Sequence, residues 1–282
     1  MQLGEYQILS VCRETPMSYI LSDGHEEVFL HKKEATEPYQ PGMKIRVFLY
    51  RDNLGRITAS TKQPFISLGK AAFLFVVDVN PSLGVFLDNN LVKDLLCSKD
   101  DLPPSPTEWP IAGDRLFVTL KEKKGQLFAK PIPRKQISLY FSEPPSLTVE
   151  KTYSAWVQSI MDVGIVAFTE NGEEIFVHIN NIRQTIRLGQ EVKPKILKLT
   201  ETNEYVGTLI EQKEIMLQKD SLSILAYLDA HQGVMPYTDK SDPNAIQRIF
   251  KMSKAAFKRA LGALYKSGYV MLDPEQTRKI KS

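Results

Sequence analysis

Over the first three quarters of the chain, apolar and polar positions alternate in short runs. In 44–49, which reads KIRVFL, the apolar side chains of Ile45, Val47 and Leu49 stand at every second position. A period of two is typical of a strand that buries one face. Turn-forming residues separate such runs, for example NLG at 53–55 and KKG at 123–125. The pattern predicts a mainly β region of short strands joined by tight turns.

One stretch of this region occurs three times. It reads EEVFLHKKEA at 26–35, KDLLCSKDDL at 93–102 and EEIFVHINNI at 173–182. Each copy has an acidic residue, three apolar residues and then His or Ser. An ungapped alignment of the first and third copies places Tyr19 over Val166. Recurrence of one pattern indicates a single structural unit used three times.

Each repeat has room for five short strands in about seventy residues, within the usual range of strand lengths. Five strands in so small a unit favour a closed barrel, because closure hides the strand edges. The second copy carries four extra residues in its Pro-rich stretch at 102–110, where loop composition tolerates an insertion.

From residue 213 onward the apolar spacing changes to that of helices. A first helix is predicted from the run SLSILAYL at 221–228, with Asp220 or Ser221 as its N-cap. A second helix is predicted to open at Asp242 and Pro243, because proline is favoured at the first helical position. Ser253 is the predicted N-cap of a third helix.

In the third helix, Phe257, Leu261 and Leu264 recur at the spacing of one buried helical face. Gly268 suits the left-handed conformation that ends a helix, and a strand is predicted from Tyr269. Three helices followed by a β-hairpin resemble a winged helix-turn-helix domain.

This third helix is basic. Its cations are Lys251, Lys254, Lys258, Arg259 and Lys266, with no acidic residue among them. The segment from 214 onward carries eleven Lys or Arg and seven Asp or Glu, a net +4, which leaves −1 for the rest of the chain. Such a helix favours phosphates, the alternative being a solvated face. Few Gln, Asn or Arg stand at base-reading positions, which argues against sequence-specific DNA recognition.

The predicted fold is therefore a multidomain, mainly β protein with an α+β C-terminal domain. We expect barrels at 1–63, 64–134 and 148–212, an ordered linker or added strand at 135–147, and the winged-helix domain at 213–282. The linker contains Pro144 and Pro145 and no glycine, which argues against a flexible tether.

The repeat resembles the S1-type RNA-binding domain, a five-stranded oligonucleotide-binding (OB) barrel. The stretches GVFL at 84–87 and FVHIN at 176–180 carry this resemblance most clearly. Three such units followed by a winged helix, with MSKAAFKRALGALYKSGYV at 252–270, resemble the conserved virulence factor B (CvfB) family of low-GC Gram-positive bacteria. The resemblance implies a non-enzymatic RNA-binding protein that influences expression of virulence factors, with cooperation between the barrels and the winged helix.

Candidate nucleic-acid contacts follow from the repeat positions and the basic helix. They are Tyr19, His31, Lys32, Lys33, Phe86, Phe168, His178, Lys251, Lys254, Lys258, Arg259 and Lys266. Aromatic rings stack on unpaired bases, while Lys and Arg follow phosphates. For Tyr19 and His31, contact with RNA and a half-buried structural role both remain open. We expect Phe29 to lie in the core, between Val28 and Leu30.

The second and third units depart from the resemblance in one position each. Ser98 replaces the histidine, beside the acidic pair Asp100 and Asp101, so the second unit is predicted to act as a spacer or to bind a partner other than RNA. Val166 replaces the aromatic residue in the third unit, although Phe168 follows on the same strand face. Trp156 is expected to fill core space.

The composition of the chain also bears on metal sites, disulfides and membrane spans. Two distant cysteines without CxxC spacing predict neither a zinc site nor a disulfide framework, and fit a reducing cytoplasm. No eighteen-residue apolar run or signal-like start is present, so we expect no membrane span. A net charge of +3 is mild and neither requires nor excludes a nucleic-acid partner.

Catalytic motifs are missing from the sequence. It has no phosphate-binding loop and no Gly-x-Ser-x-Gly elbow, and its four histidines are scattered. We predict a non-enzymatic protein that takes no cofactor or small-molecule substrate and binds RNA, most readily as a single strand. Two alternatives stay open: a transcription regulator whose winged helix binds duplex DNA, and a scaffold whose barrels bind protein.

Overall fold

The computed structural model describes residues 1–142, 146–202, 204–210 and 213–280, apart from the side chains of 213–215. The chain divides into two compact units. The first consists of Met1–Ile179 and Thr185–Gly207, and the second of Asn180–Gln184 and Thr208–Ser282. The first unit contains the three β modules, and the second contains the helices of the C-terminal region.

The first module is a closed five-stranded barrel in the order β1-β2-β3-β5-β4. Its strands are β1 (Tyr6–Glu14), β2 (Ser18–Ser22), β3 (Glu27–His31), β4 (Lys44–Arg51) and β5 (Ile57–Ser60). The contact between β3 and β5 is parallel and the other pairs are antiparallel. Alternate residues of these strands fill the interior, among them Leu9, Leu21, Leu30 and Leu49.

The second module repeats this closed topology in the order β10-β8-β7-β6-β9. Its strands are β6 (Ala71–Asn80), β7 (Gly84–Leu87), β8 (Leu95–Ser98), β9 (Arg115–Lys123) and β10 (Gln126–Pro131). The parallel contact is again between the third strand and the last, here β8 and β10.

The third module forms a six-stranded sheet in the order β14-β11-β12-β13-β16-β15. Its strands are β11 (Ala155–Met161), β12 (Gly164–Phe168), β13 (Glu174–His178), β14 (Glu191–Val192), β15 (Lys195–Leu199) and β16 (Tyr205–Thr208). Only Lys193 and Pro194 separate β14 from β15, so the two ends of this sheet meet. Proline has no N–H for a strand ladder, which explains why one strand of the other barrels is split here.

A short helical segment precedes the third module. Helix α1 (Arg134–Ile137) is followed by a 3₁₀ turn at Ser138–Tyr140, and the side chain of Ile137 is fully buried. The described part of the segment is helical and contains no added strand. Pro144 and Pro145 lie outside the described residues.

The first and second barrels are joined by backbone-directed hydrogen bonds. Glu34 Oε1 accepts from the N–H of Val92 at 2.9 Å, and Arg51 Nε donates to the carbonyl of Gly125 at 2.6 Å. Lys93 Nζ also donates to a backbone carbonyl of the first barrel, that of residue 52, at 3.1 Å. Each bond satisfies a backbone group on the neighbouring barrel, which fixes the relative position of the two.

The second and third barrels share a larger contact centred on Arg115. Its guanidinium carbon lies 4.4 Å from the ring centroid of Trp156 and 4.9 Å from that of Phe75. Gln158 accepts from the N–H of Phe117 at 2.8 Å and donates to the carbonyl of Arg115 at 3.1 Å. Cation–π contacts and satisfied amide bonds of this kind stabilise a contact that excludes water.

The second unit has the predicted winged-helix arrangement. Its elements are α2 (Lys213–Ala230), β17 (Val234–Met235), α3 (Pro243–Phe250), α4 (Lys254–Lys266), β18 (Val270–Leu272) and β19 (Thr277–Lys279), with the sheet order β17-β19-β18. Asp242 and Ser253 cap α3 and α4 by accepting from the N–H of Ala245 and Ala256. Both caps agree with the sequence prediction.

The predicted start of the first helix is wrong. Because α2 begins at Lys213, Asp220 and Ser221 lie inside the helix and neither is an N-cap. Asp220 is buried and lies 3.9 Å from Arg183. Burial raises the pKa of Asp220, and the positive charges of Arg183 and Arg259 partly oppose that rise.

Candidate nucleic-acid interface

An aromatic ring stands open on the outer face of the first barrel. Phe29 is 51% exposed, while its neighbours Val28 and Leu30 on β3 are buried. The expectation of a core position for Phe29 is therefore wrong, because alternation allows either set of β3 residues to face the interior. His31 lies on the same outer face as Phe29, two residues along. An exposed ring beside a histidine suits stacking against an unpaired base.

Tyr19 is 5% exposed and its ring packs edge-on against that of Tyr39, with centroids 5.6 Å apart. The prediction that Tyr19 presents an open ring for stacking is therefore wrong. On the neighbouring strand, Leu30 is the partner of Tyr19 and points into the core. Ile20, the partner of Phe29, has the outward parity on β2 but is only 2% exposed.

The length of one turn explains this difference. The turn between β2 and β3 has four residues, 23–26, whereas the turn between β12 and β13 has five, 169–173. An ungapped alignment is therefore displaced by one residue on β2, and a displacement of one residue exchanges the two faces of a strand. Strand pairing gives the equivalent outward pairs: Ile20 with Phe29, Phe86 with Leu96, and Val166 with Phe176.

The His/Ser position of the repeat has a structural role. His31 Nδ1 accepts from the N–H of Lys33 at 3.1 Å and so caps a 3₁₀ turn at Lys32–Glu34. Ser98 Oγ accepts from the N–H of Asp100 at 3.3 Å and caps the equivalent turn of the second barrel. His178 likewise precedes a 3₁₀ turn, at Ile179–Asn181. Ser98 thus retains the capping role of the histidine that it replaces.

A cavity of about 410 Å³ opens beside Phe29 and His31. Its wall also includes Glu34 and Tyr50 from the first barrel and Val92 from the second. The volume is in the range of small-ligand sites. Cavity, ring and histidine form one continuous surface, which we call the β3 face.

Two lysines follow His31 along the chain. Lys32 donates to Glu14 at 2.6 Å and lies 5.7 Å above the ring of Tyr19. The hydrogen bond to Glu14 raises the pKa of Lys32. Lys33 is exposed and lines the cavity. Lys33 is therefore better placed than Lys32 to meet a phosphate at the β3 face.

The corresponding face of the second barrel is acidic. Phe86 is half-buried and pairs with Asp78 on the adjacent strand. The pKa of Asp94 is raised, first by burial and then by the negative charges of Asp88 and Asp78. Clustered carboxylates repel phosphate, so Phe86 is a poor candidate for RNA contact in this setting.

In the third barrel, Phe168 is fully buried, which contradicts the prediction of a contact residue. All five residues of β12 are buried. Phe168 and Val166 pack with Phe73 and Phe117 of the second barrel and with Ile137 of α1. The outer surface of β12 is thus used for packing between barrels. His178 remains half-buried, and its ring lies 6.3 Å from that of Phe176.

The basic residues of α4 lie mainly on its open side. Lys258, Arg259 and Lys266 of α4 are exposed, as is Lys251 at the end of α3, whereas Lys254 is half-buried. Lys258 lies 3.8 Å from Asp239, and both side chains are exposed, so this pair restrains the lysine weakly. Gly262 falls among these residues, and a Cβ there would meet nothing within 4 Å. The open side of α4 can approach a phosphate backbone closely.

Two further properties concern the described residues. No helix in them is long and apolar enough to cross a membrane. No group of three or more His, Cys, Asp or Glu side chains in the described part of the chain is placed to hold a metal ion.

Sequence reasoning missed Phe29, Glu34 and Arg115. The alternation along β3 indicates an exposed Phe29 when Val28 and Leu30, rather than Phe29, are assigned to the interior. Nothing in the repeat pattern indicates that Glu34 is buried. Arg115 becomes important only through contacts with residues that are distant in sequence.

Family models match three parts of the chain. An S1 domain matches 3–62, a CvfB first S1-like domain matches 72–130, and a CvfB-like winged helix domain matches 222–278. These matches cover the first barrel, the second barrel and most of the helical unit.

Similar proteins extend over nearly the whole chain. Uncharacterized protein YitL of Bacillus subtilis (strain 168) is 36% identical over 271 residues, which cover 96% of this chain and 91% of the relative. Conserved virulence factor B of Staphylococcus epidermidis (strain RP62A) is 30% identical over 276 residues, 96% of this chain and 92% of the relative. A solved structure from Streptococcus pneumoniae TIGR4, described as a multidomain protein with nucleic acid binding domains, is similar with a TM-score of 0.68 and 26% identity, covering 99% of this chain and 98% of that one.

Proposed function

The chain belongs to the conserved virulence factor B family, and from that membership we propose that it is a non-enzymatic regulator that binds single-stranded RNA. In this proposal the barrels and the basic helix both take part in binding. The consequence for the cell is post-transcriptional control of gene expression, including that of virulence factors. The observation that carries the proposal is the open β3 face of the first barrel.

Three properties of the β3 face support RNA over duplex DNA as its ligand. Phe29 presents its ring to solvent at the position of an outward strand residue. Unpaired bases can stack on such a ring, whereas bases inside a duplex cannot reach it. His31 and the exposed Lys33 lie beside it, where they can meet the sugar and phosphate of the same nucleotide.

Replacing Phe29 with alanine is expected to weaken binding of a single-stranded RNA by about 1–3 kcal/mol, the usual contribution of one stacked base. The ring lies on the surface, so the free energy of unfolding should change by less than about 1 kcal/mol. Fluorescence anisotropy with a labelled oligonucleotide at low salt measures the first quantity, and urea unfolding measures the second.

Two matched variants separate stacking from folding. Phe65→Ala removes another exposed ring, 55% open and outside the β3 face, and should leave RNA affinity unchanged. Tyr19→Ala removes a core ring and should lower the free energy of unfolding by about 3 kcal/mol. If Phe29→Ala and Phe65→Ala bind RNA as the wild type does, the β3 face is not the binding surface.

The open side of α4 is expected to add electrostatic affinity. Changing Lys258 and Lys266 to glutamine should reduce the slope of log affinity against log salt by about 0.7 for each phosphate contact with a single strand. The control changes Lys121 and Lys123, two exposed lysines of β9, in the same way. An unchanged slope for the α4 variant would exclude this helix from the RNA-binding surface.

The same variant tests the alternative of duplex binding. If the wild type binds duplex DNA more tightly than single-stranded RNA at equal salt, and only the α4 variant loses that binding, the protein is a duplex-binding regulator. Competition between an unlabelled duplex and a labelled RNA strand on the full chain gives the answer directly.

A further inference from the structure

We propose that the cavity of the β3 face is a pocket for a single base that selects guanine through the carboxylate of Glu34. This inference rests on the proposed binding of single-stranded RNA, and adds a base preference at one defined place. It is carried by a buried carboxylate oxygen that the protein leaves without a partner.

Glu34 is 2% exposed and forms part of the cavity wall. Its Oε1 accepts from the N–H of Val92 at 2.9 Å, and Lys62 Nζ approaches the same oxygen at 3.6 Å. Oε2 is buried and has no hydrogen-bond partner among the described residues. A buried acceptor without a donor carries a desolvation cost that a bound N–H group removes.

The charges around the cavity determine which part of a nucleotide can enter. Glu34 and Asp52 both contribute carboxylates to the wall. Asp52 is already satisfied by Arg56, whose Nε and Nη2 donate to Oδ2 at 2.9 and 2.7 Å. The unpartnered oxygen of Glu34 needs a donor, which a base edge supplies and a phosphate does not. Lys33 at the edge can hold the phosphate outside.

The donors of the base edge favour guanine. An ionised carboxylate only accepts hydrogen bonds. The Watson–Crick edge of guanine presents two adjacent donors, N1–H and the N2 amine. Adenine and cytosine present an amine beside a bare ring nitrogen, whose lone pair a carboxylate oxygen repels. Uracil presents one N–H between two carbonyl oxygens, which the carboxylate also repels.

The remaining walls suit a flat, neutral ring. Phe29 supplies an exposed aromatic face for stacking at the mouth of the cavity. Burial raises the pKa of Tyr50, and the charges of Glu34 and Asp52 raise it further, so its hydroxyl keeps its proton. That hydroxyl can donate to a ring carbonyl such as O6 of guanine.

The test uses labelled oligouridines of one length that carry a single central guanine, inosine, adenine or cytosine, with the full-length protein. The guanine strand should bind about tenfold more tightly than the adenine strand, the order of discrimination given by one well-placed pair of base contacts. Inosine keeps N1–H but lacks the N2 amine, and its strand should fall between the two.

The variant Glu34→Gln should abolish the preference for guanine, so that the guanine and adenine strands bind it with equal affinity. Glutamine keeps an oxygen for the N–H of Val92 but places an amide N–H donor in the wall. Glu37→Gln, an exposed change three residues away, is the matched control and should keep the preference. If Glu34→Gln does not fold, the wild-type series still decides the matter.

The possible outcomes separate this inference from the broader function. Equal affinity of the wild type for guanine and adenine strands overturns the guanine pocket while RNA binding stands. A preference for guanine that survives Glu34→Gln overturns the role of the carboxylate. Failure of every strand to bind at low salt overturns the proposed function itself.

Discussion

A Gly164→Ala variant is expected to lose the folded third barrel, at a cost of about 3–5 kcal/mol in the free energy of unfolding. Gly164 opens β12 with φ at +149°, a conformation that side-chain-bearing residues rarely adopt. A Cβ placed there would lie 2.2 Å from the carbonyl oxygen of Val177 and 3.0 Å from the Cα of His178. Both atoms belong to the backbone of β13, so no side chain can rotate away to relieve the overlap.

Gly84 is the equivalent residue of the second barrel, and a Cβ there would lie 2.0 Å from the carbonyl oxygen of Cys97. Ser18 occupies this position in the first barrel, where it pairs with His31, and its φ is not positive. The close approach is thus a property of the second and third copies.

Urea unfolding followed by tryptophan fluorescence measures this effect, because both tryptophans, Trp109 and Trp156, belong to the first unit. Gly262→Ala is the matched control, since the same substitution in α4 meets open space. It should leave the unfolding reported by tryptophan unchanged and stabilise the helical unit, which circular dichroism follows, by about 0.5–1 kcal/mol, the difference in helix propensity. A Gly164→Ala protein that unfolds within about 1 kcal/mol of the wild type contradicts the clash.

The second large effect is expected from Arg115→Ala, which should lower the stability of the first unit by about 2–4 kcal/mol. The guanidinium packs on the rings of Trp156, Phe75 and Phe73 and is only 15% exposed. It also forms a two-pronged ion pair with Glu170, one branch of which measures 3.0 Å. Alanine removes the cation from all of these partners and leaves the aromatic rings without the group that separates them from water.

Arg115→Lys should recover only part of this loss, because an ammonium cannot cover several rings or bind a carboxylate through two parallel bonds. The control is Arg13→Ala, which removes an equally two-pronged pair with Glu27, at 2.9 and 3.0 Å. Both partners of that pair are exposed, so we expect a change of at most about 1 kcal/mol.

Trp156 fluorescence and urea unfolding report both variants. Equal stability losses for Arg115→Ala and Arg13→Ala would mean that the buried cation contributes no more than a surface pair.

Features determined by neighbouring residues could be predicted from the sequence. The caps at Asp242 and Ser253, the end of α4 before Gly268, and the strand periods of the barrels all depend on a few adjacent positions. The architecture of repeated barrels followed by a winged helix follows from such local signals, and it is confirmed.

The orientation of individual rings could not be predicted in this way. An ungapped comparison of the repeats puts Tyr19 on the wrong face of β2. It hides the fact that the turn after β2 is shorter than the turn after β12 by a single residue. Phe168 looks like a surface aromatic within its own repeat. It is buried by residues of a different barrel, and no pattern within one repeat records that contact.

The packing of β12 against the second barrel also bears on how a duplicated module changes. In the first copy the outward ring of Phe29 on β3 is free; in the second the corresponding face carries carboxylates; in the third Val166 and Phe168 of β12 pack against another copy. At corresponding positions the three copies thus present an open ring, a group of carboxylates and a packing surface. Mutations that exposed the outward face of β12 would have to disrupt its packing against the second barrel, so this face of the third copy is constrained by its neighbour.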